Sequence, residues 1–154
     1  MHKIEVKKDD VKNSHLIKLL EVHHQDMLKH SPIESVHALD LSSWQSSDIT
    51  FWTAWIDKNL AGCGALKIFN NQHAEIKAMR TDSTYLRMGV GAKLLEHIVK
   101  YAKENRVEKI YLETGSTKIF ESAHKLYKSF GFVDCKPFAD YAEDPYSRFM
   151  FKSI

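Results

Sequence analysis

The chain is poor in the residues that mark stapled, fibrous or membrane-spanning proteins. Its two cysteines, Cys63 and Cys135, are too few for a disulfide framework over 154 residues. Each sits in an apolar, strand-like run, so both are expected as buried thiols in a reducing compartment. Three prolines and six glycines leave no room for a linker or low-complexity tract, and no repeat is visible. No apolar run approaches the ~20 residues of a membrane span. Met1-His2-Lys3-Ile4-Glu5 carries no apolar leader, so a cytoplasmic location with no membrane partner is expected. Charge of one sign is missing too. The 22 Lys and Arg stand against 20 Asp and Glu, a net charge of +2, with no basic block to hold nucleic acid. Nine histidines are scattered without a cysteine partner at ligand spacing, so no metal is expected.

What is present suits one globular domain over residues 1–154, 44% apolar and 27% charged, long enough to bury a normal core. Residues 2–7 alternate as a strand with one buried face. Asp9 or Asp10 offers an N-cap to an amphipathic helix from Val11 to about Lys29, in which Leu16, Leu19, Leu20, His23 and Met27 recur at helical spacing. Ser31-Pro32 interrupts it, and Ile33–Ser47 reads as a short helix and loop. Ile49–Ile56, aromatic and branched, forms a hairpin with Leu60–Phe69 across Asp57-Lys58-Asn59. Gly62 and Gly64 mark a bulge or a close approach to the sheet. The aromatics of Phe51–Trp55 are expected in the core rather than at an interface, which leaves a homodimer open.

His73–Thr81 is the next strand, a helix covers roughly Gly89–Asn105, and Lys109–Thr114 is a further strand. That order implies a crossover and parallel pairing of 73–81 with 109–114. A helix over Phe120–Phe130 stops at Gly131. A strand starting at Phe132–Cys135, a loop over Lys136–Tyr146 and a last strand over Ser147–Lys152 follow. The fold class is therefore α/β: a mixed, mostly antiparallel sheet with one parallel pair that splays, flanked by helices. Ligands favour the carboxyl ends of strands where connections change sense.

Tyr85-Leu86-Arg87-Met88-Gly89-Val90-Gly91-Ala92-Lys93 lies just after such an end. Gly89 and Gly91 lack Cβ atoms, and a helix starting there aims unpaired N–H groups and its positive dipole at an anion. Arg87 adds a full charge. The pattern fits a pyrophosphate cradle.

This segment, the strand Glu75–Thr81 before it and Ala123-His124-Lys125-Leu126-Tyr127-Lys128-Ser129-Phe130-Gly131-Phe132 after it resemble the GCN5-related N-acetyltransferase (GNAT) superfamily. Ser31–Leu39, Ala61–Leu66 and Pro137–Ser147 resemble its YsnE-like bacterial members. Leu86 stands where the superfamily usually has Gln or Arg, and Phe120 where it often has Asn. The resemblance implies a GNAT-like fold and an acetyl-CoA-dependent N-acetyltransferase acting on the amine of a small molecule or amino acid. It implies acetyl-CoA as co-substrate, held by Met79, Arg80, Thr81, Arg87, Met88, Gly89, Val90, Gly91 and Ala92. Glu75 is the candidate base, with Glu113 as runner-up, and Tyr127 the candidate acid. Backbone N–H groups near Met79 would meet the oxyanion. The buried cysteines point to direct transfer in a ternary complex. The acceptor pocket is expected from Ser31–Leu39 and Phe138–Ser147, with Glu34, His37, Asp140, Tyr141 and Tyr146 as polar candidates. The alternative is a non-catalytic acyl-CoA sensor or scaffold on the same fold.

Overall fold

The computed structural model describes residues 3–9, 14–30, 48–70 and 72–154. Among these residues seven strands form one sheet: β1 (Ile4–Asp9), β2 (Ile49–Ile56), β3 (Asn59–Asn70), β4 (His73–Thr81), β5 (Lys109–Gly115), β6 (Val133–Asp134) and β7 (Ser147–Ser153). Their order across the sheet is β1-β2-β3-β4-β5-β7-β6. β4 and β5 run parallel, and the other neighbouring pairs run antiparallel. The helices among the described residues are α1 (Ser14–His30), α2 (Val90–Glu104) and α3 (Glu121–Ser129). None is long and apolar enough to cross a membrane.

The two-residue period of the strands sorts the core into two layers. Trp52, Ala54, Leu66, Ile76, Ile110, Leu112 and Met150 face α2 and α3, where they meet Leu94, Leu95, Ile98 and Tyr127. Phe51, Cys63 and Ala65 face the other way and are covered by Leu16, Leu19 and Leu20 of α1. The aromatic strand is core as expected, with Phe51 and Trp52 at 2% and 3% exposure. Asp57 and Lys58 both take left-handed φ, 48° and 68°. A two-residue turn of that twist suits a hairpin, and Asn59 already belongs to β3.

Several boundaries move. Asp9, one of the two expected caps, ends β1, where its Oδ2 accepts a hydrogen bond from Thr53 Oγ1 at 3.0 Å. Asp10, the expected helix start at 11–13 and the expected element over 33–47 lie outside the described residues.

The larger departure is inside β4. Cys63 faces Arg80 while Ala65 faces Lys77, so Ala78 and Met79 together oppose Gly64. Ala78 takes φ 54°, and the extra residue makes a bulge. Alternation reverses beyond it. Glu75 and Lys77 face the α1 side, and Arg80 does too, reaching Asp26 on α1. Met79 turns to the α2 side and packs on that core. The glycines of β3 fit this exchange. A Cβ on Gly64 would lie 2.5 Å from Met79 Sδ, and one on Gly62 would lie 2.7 Å from both the Arg80 carbonyl oxygen and Val90 Cγ1.

β4 pairs with β5 from His73 to Ile76, against Lys109 to Leu112. Beyond Ile76 the two strands part. The bulge, the end of β4 and Glu113–Gly115 of β5 border the resulting gap.

Candidate active site

The site has three parts, arranged around the gap between β4 and β5. The first is the entry to α2. After Thr81, Asp82 accepts a hydrogen bond from the Thr84 N–H at 2.9 Å and so caps a 3-10 turn over Ser83–Tyr85. Arg87 and Gly89 then take φ of 62° and 88°. Gly89 is the N-cap of α2 and brings no side-chain cap. The N–H of Lys93 donates to the Gly89 carbonyl at 3.1 Å, which leaves the N–H groups of Val90, Gly91 and Ala92 as donors at the helix start. A Cβ on Gly89 would find nothing nearer than Ile4 Cδ1 at 4.0 Å. Space lies over the loop, and its donor set fits a bulky anion. Leu86, Arg87 and Met88 are exposed beside it. Gly91 ties the loop to the other elements: its Cβ would lie 3.0 Å from Leu126 Cδ2 on α3.

The second part is the bulge and what faces it. The Cys63 thiol donates to the Ala78 carbonyl oxygen at 3.3 Å. It is fully buried, and burial pushes its pKa up to about 12, against a lowering pull from Arg80. The thiol therefore keeps its proton and remains a donor. In a trans peptide the C=O and N–H point opposite ways. With the Ala78 carbonyl held toward β3, the Met79 N–H points toward the gap.

Tyr127 comes from α3 and packs edge-on against Phe132, ring centroids 5.8 Å apart. It is 6% exposed. Among the described residues the buried unpaired side-chain polar atoms are Arg80 Nε, Thr117 Oγ1 and Ser147 Oγ; the Tyr127 hydroxyl is not one of them. Burial, and secondarily the charge of Glu113, raise its pKa. The phenol is thus held protonated, and giving up that proton is more uphill than the reference value of about 10 implies.

The third part lies on the α1 side. Glu75 is 5% exposed, and its Oε2 accepts a hydrogen bond from the Tyr141 hydroxyl at 2.6 Å. Lys77 Nζ stands 3.6 Å from Oε1. Burial and the Glu75 charge raise the pKa of Tyr141, so it donates. Around them Tyr111, Phe138, Tyr141 and Phe149 form an aromatic floor, with centroid separations of 4.9, 5.1 and 5.6 Å along that order. The charge of Glu113 adds to the raised pKa of both Tyr127 and Tyr141.

The structure thus joins Glu75 to Tyr141, a base candidate to a substrate-binding candidate. It sets Met79, Thr81, Val90 and Gly91 on the α2 side with Tyr127. The Arg80 side chain lies on the α1 side, away from the glycine loop, while its backbone stays on the β4 edge with Met79 and Thr81. The bulge that turns it has one signal in the sequence, the glycine pair in β3. Asp140 and Tyr146 are exposed, and Glu34 and His37 lie outside the described residues. Cys135 is only half-buried, because it follows the short β6 rather than lying in it. With Glu143, Asp144 and Arg148 it lines a cleft of about 600 Å³, to which Glu75, Tyr127 and the glycine loop do not contribute. Phe120 has a packing role: its ring lies where a Cβ on Gly115 would come within 2.1 Å. Among the described residues no cluster of His, Cys, Asp and Glu could hold a metal ion.

Comparison with known proteins agrees with this geometry. The profile of the acetyltransferase (GNAT) family matches residues 16–132. The chain is 48% identical over 149 residues to the uncharacterized N-acetyltransferase YsnE of Bacillus subtilis, spanning 97% of this chain and 99% of that one. It is 43% identical over 145 residues to the uncharacterized N-acetyltransferase YedL of Escherichia coli, spanning 94% and 91%. A GNAT family acetyltransferase from Elizabethkingia anophelis, solved with acetyl-CoA bound, shares the fold with a TM-score of 0.71 and 18% identity over 98% of each chain. With three quarters of its length matched by the profile, and its glycine loop and β4–β5 gap in place, the chain belongs to the acetyltransferase (GNAT) family.

Proposed function

We propose that the chain moves an acetyl group from acetyl-CoA directly to the amine of a small molecule, with both bound at once. One observation carries this reading. The gap between β4 and β5 has uncapped helix donors on the α2 side and a buried, hydrogen-bonded carboxylate on the α1 side. Acetyl-CoA supplies the activated acetyl group. Val90, Gly91 and Ala92 N–H groups hold its pyrophosphate, with Arg87 beside them. The free backbone edge from Met79 to Thr81 pairs with its pantetheine amides as an added strand would. The Met79 N–H meets the negative charge that develops on the acetyl oxygen.

The acceptor amine must lose a proton, since an alkylamine of pKa about 10.4 is almost wholly charged at neutral pH. Glu75 takes that proton directly or through water, and Tyr141 fixes the carboxylate that receives it. Glu113 is the second candidate for this role. Tyr127 supplies a proton or a hydrogen bond to the departing thiolate. Its raised pKa favours the hydrogen bond at first, with transfer following as negative charge builds on sulfur.

The test combines thermal unfolding with thiol release over a panel of amines. Acetyl-CoA at about one hundred times its dissociation constant adds roughly 2.7 kcal/mol, raising Tm by about 5–10 °C. Thiol release with one amine class, lowered tenfold or more in kcat by Tyr127→Phe at unchanged acetyl-CoA affinity, is the expected result. No stabilisation by acetyl-CoA would remove the reading.

A further inference from the structure

We propose that Arg80 binds a carboxylate of the acceptor, so that the amine acetylated belongs to an amino acid. The inference rests on the acetyl-transfer reading above. It begins with the bulge at Ala78. An evenly alternating β4 would place Glu75 and Lys77 on one side of the sheet and Arg80 on the other. The extra residue returns Arg80 to the side that carries Glu75. A carboxylate and a guanidinium now stand along one edge of the gap, on the side opposite the glycine loop.

The guanidinium is not used up there. Asp26 on α1 pairs with Nη2, while Nε is buried and has no partner among the described residues. A buried N–H left unpaired is costly, and it is the kind of group a bound acceptor satisfies. The side chain is 23% exposed, so part of the fork remains open to a ligand. Asp26 holds one corner of the fork, and a guanidinium presents paired donors that a two-oxygen anion matches. Lys77, the neighbouring cation, instead stands beside Glu75 at 3.6 Å.

Glu75 thus has its partners in Tyr141 and Lys77, and the cation that keeps an unpaired donor on this edge is Arg80. Next to the Met79 N–H, it suits a carboxylate. An amino acid whose carboxylate meets Arg80 brings its amine beside the Met79 N–H, with Glu75 as proton acceptor directly or through water, whereas a simple alkylamine leaves the Arg80 Nε unpaired. The aromatic floor of Tyr111, Phe138 and Phe149 lies on the same side and offers apolar contact to the remainder of the acceptor.

The experiment measures thiol release from acetyl-CoA with the protein amino acids and β-alanine, each beside its own carboxamide. Aminoethylphosphonate is included as the phosphoryl counterpart. The expected result is a preference of about tenfold or more in kcat/KM for an amino acid over its amide. Arg80→Met should lower kcat/KM for that acid by about ten- to hundredfold, the range of a lost charge-assisted bond. Acetyl-CoA should still raise the Tm of Arg80→Met, which shows that the variant is folded, its loss on the amide should be much smaller than on the acid, and Arg80→Lys should recover part of the loss. Equal use of acid and amide, a preference for the phosphonate, or an equal loss on both substrates in Arg80→Met overturns the proposal. So does failure to use any amino acid while acetyl-CoA still raises Tm. No stabilisation by acetyl-CoA overturns the acetyl-transfer reading and this inference with it.

Discussion

A single thiol illustrates how the local chemistry of this site is set. Cys63 has no nucleophilic role in a direct transfer, and burial holds its proton in place. Its hydrogen bond to the Ala78 carbonyl fixes the peptide whose other end is the Met79 N–H. If that N–H meets the developing oxyanion, Cys63 is a positioning residue. Cys63→Val, similar in size and lacking a donor, should lower kcat about tenfold with little change in the KM for acetyl-CoA, because the bond matters most when charge develops. Cys63→Ser keeps a donor and should retain most of the activity. Equal rates for the two variants would show that the bulge holds itself. Nothing in the sequence pointed to this bond. Cys63 read as an apolar core residue, which its burial bears out, and a thiol-to-carbonyl contact across two strands leaves no pattern along one of them.

Among the elements, α2 and its entry were the most legible. Gly89-Val90-Gly91 before a helical run of apolar residues signals both an N-cap and an open backbone, and the helix begins within one residue of the expected start. The bulge in β4 was not legible, since Lys77-Ala78-Met79-Arg80 breaks no rule of composition. Only its counterparts in β3, Gly62 and Gly64, hinted at a close approach, and they are explained by Arg80, Met79 and Val90 rather than by a ligand. The α2 entry carries its own prediction. Gly89 has φ 88°, and a β-carbon in that region costs about 1–2 kcal/mol, which Asn tolerates better than most residues. Gly89→Glu adds a negative charge where the pyrophosphate is expected and should abolish the rise in Tm with acetyl-CoA. Gly89→Asn should keep most of that rise. Loss in both would trace the effect to backbone strain, and retention in both would place the anion elsewhere.

The whole molecule was legible as a class, in its succession of elements and in the parallel pairing of β4 with β5, because alternation, turn residues and the crossover rule restrict the topology strongly. The acceptor side was less legible. It assembles Glu75 from β4 with Tyr141 from a loop 66 residues later, and such long-range pairings leave no local mark. Burial of titratable groups on both faces of the sheet also gives the fold a dependence on alkaline pH. Burial raises the Cys63 thiol from 9.0 to about 12, and it raises Tyr127 and Tyr141 above their ordinary value of 10.0. In the unfolded chain the thiol loses its proton near pH 9 and the phenols near pH 10, while the native state keeps all three. The unfolded state then binds fewer protons, so stability falls as pH rises. Cys63 alone contributes a slope of about 1.4 kcal/mol per pH unit between its unfolded and folded values, with no effect below pH ~9. Urea midpoints should therefore change little between pH 7 and 8, then drop by pH 10. In Cys63→Val the drop should shrink by about 1 kcal/mol while the part due to the tyrosines remains. An unchanged drop in that variant would mean that the thiol ionises in the folded protein, and the Ala78 carbonyl would then lose its donor at the same pH.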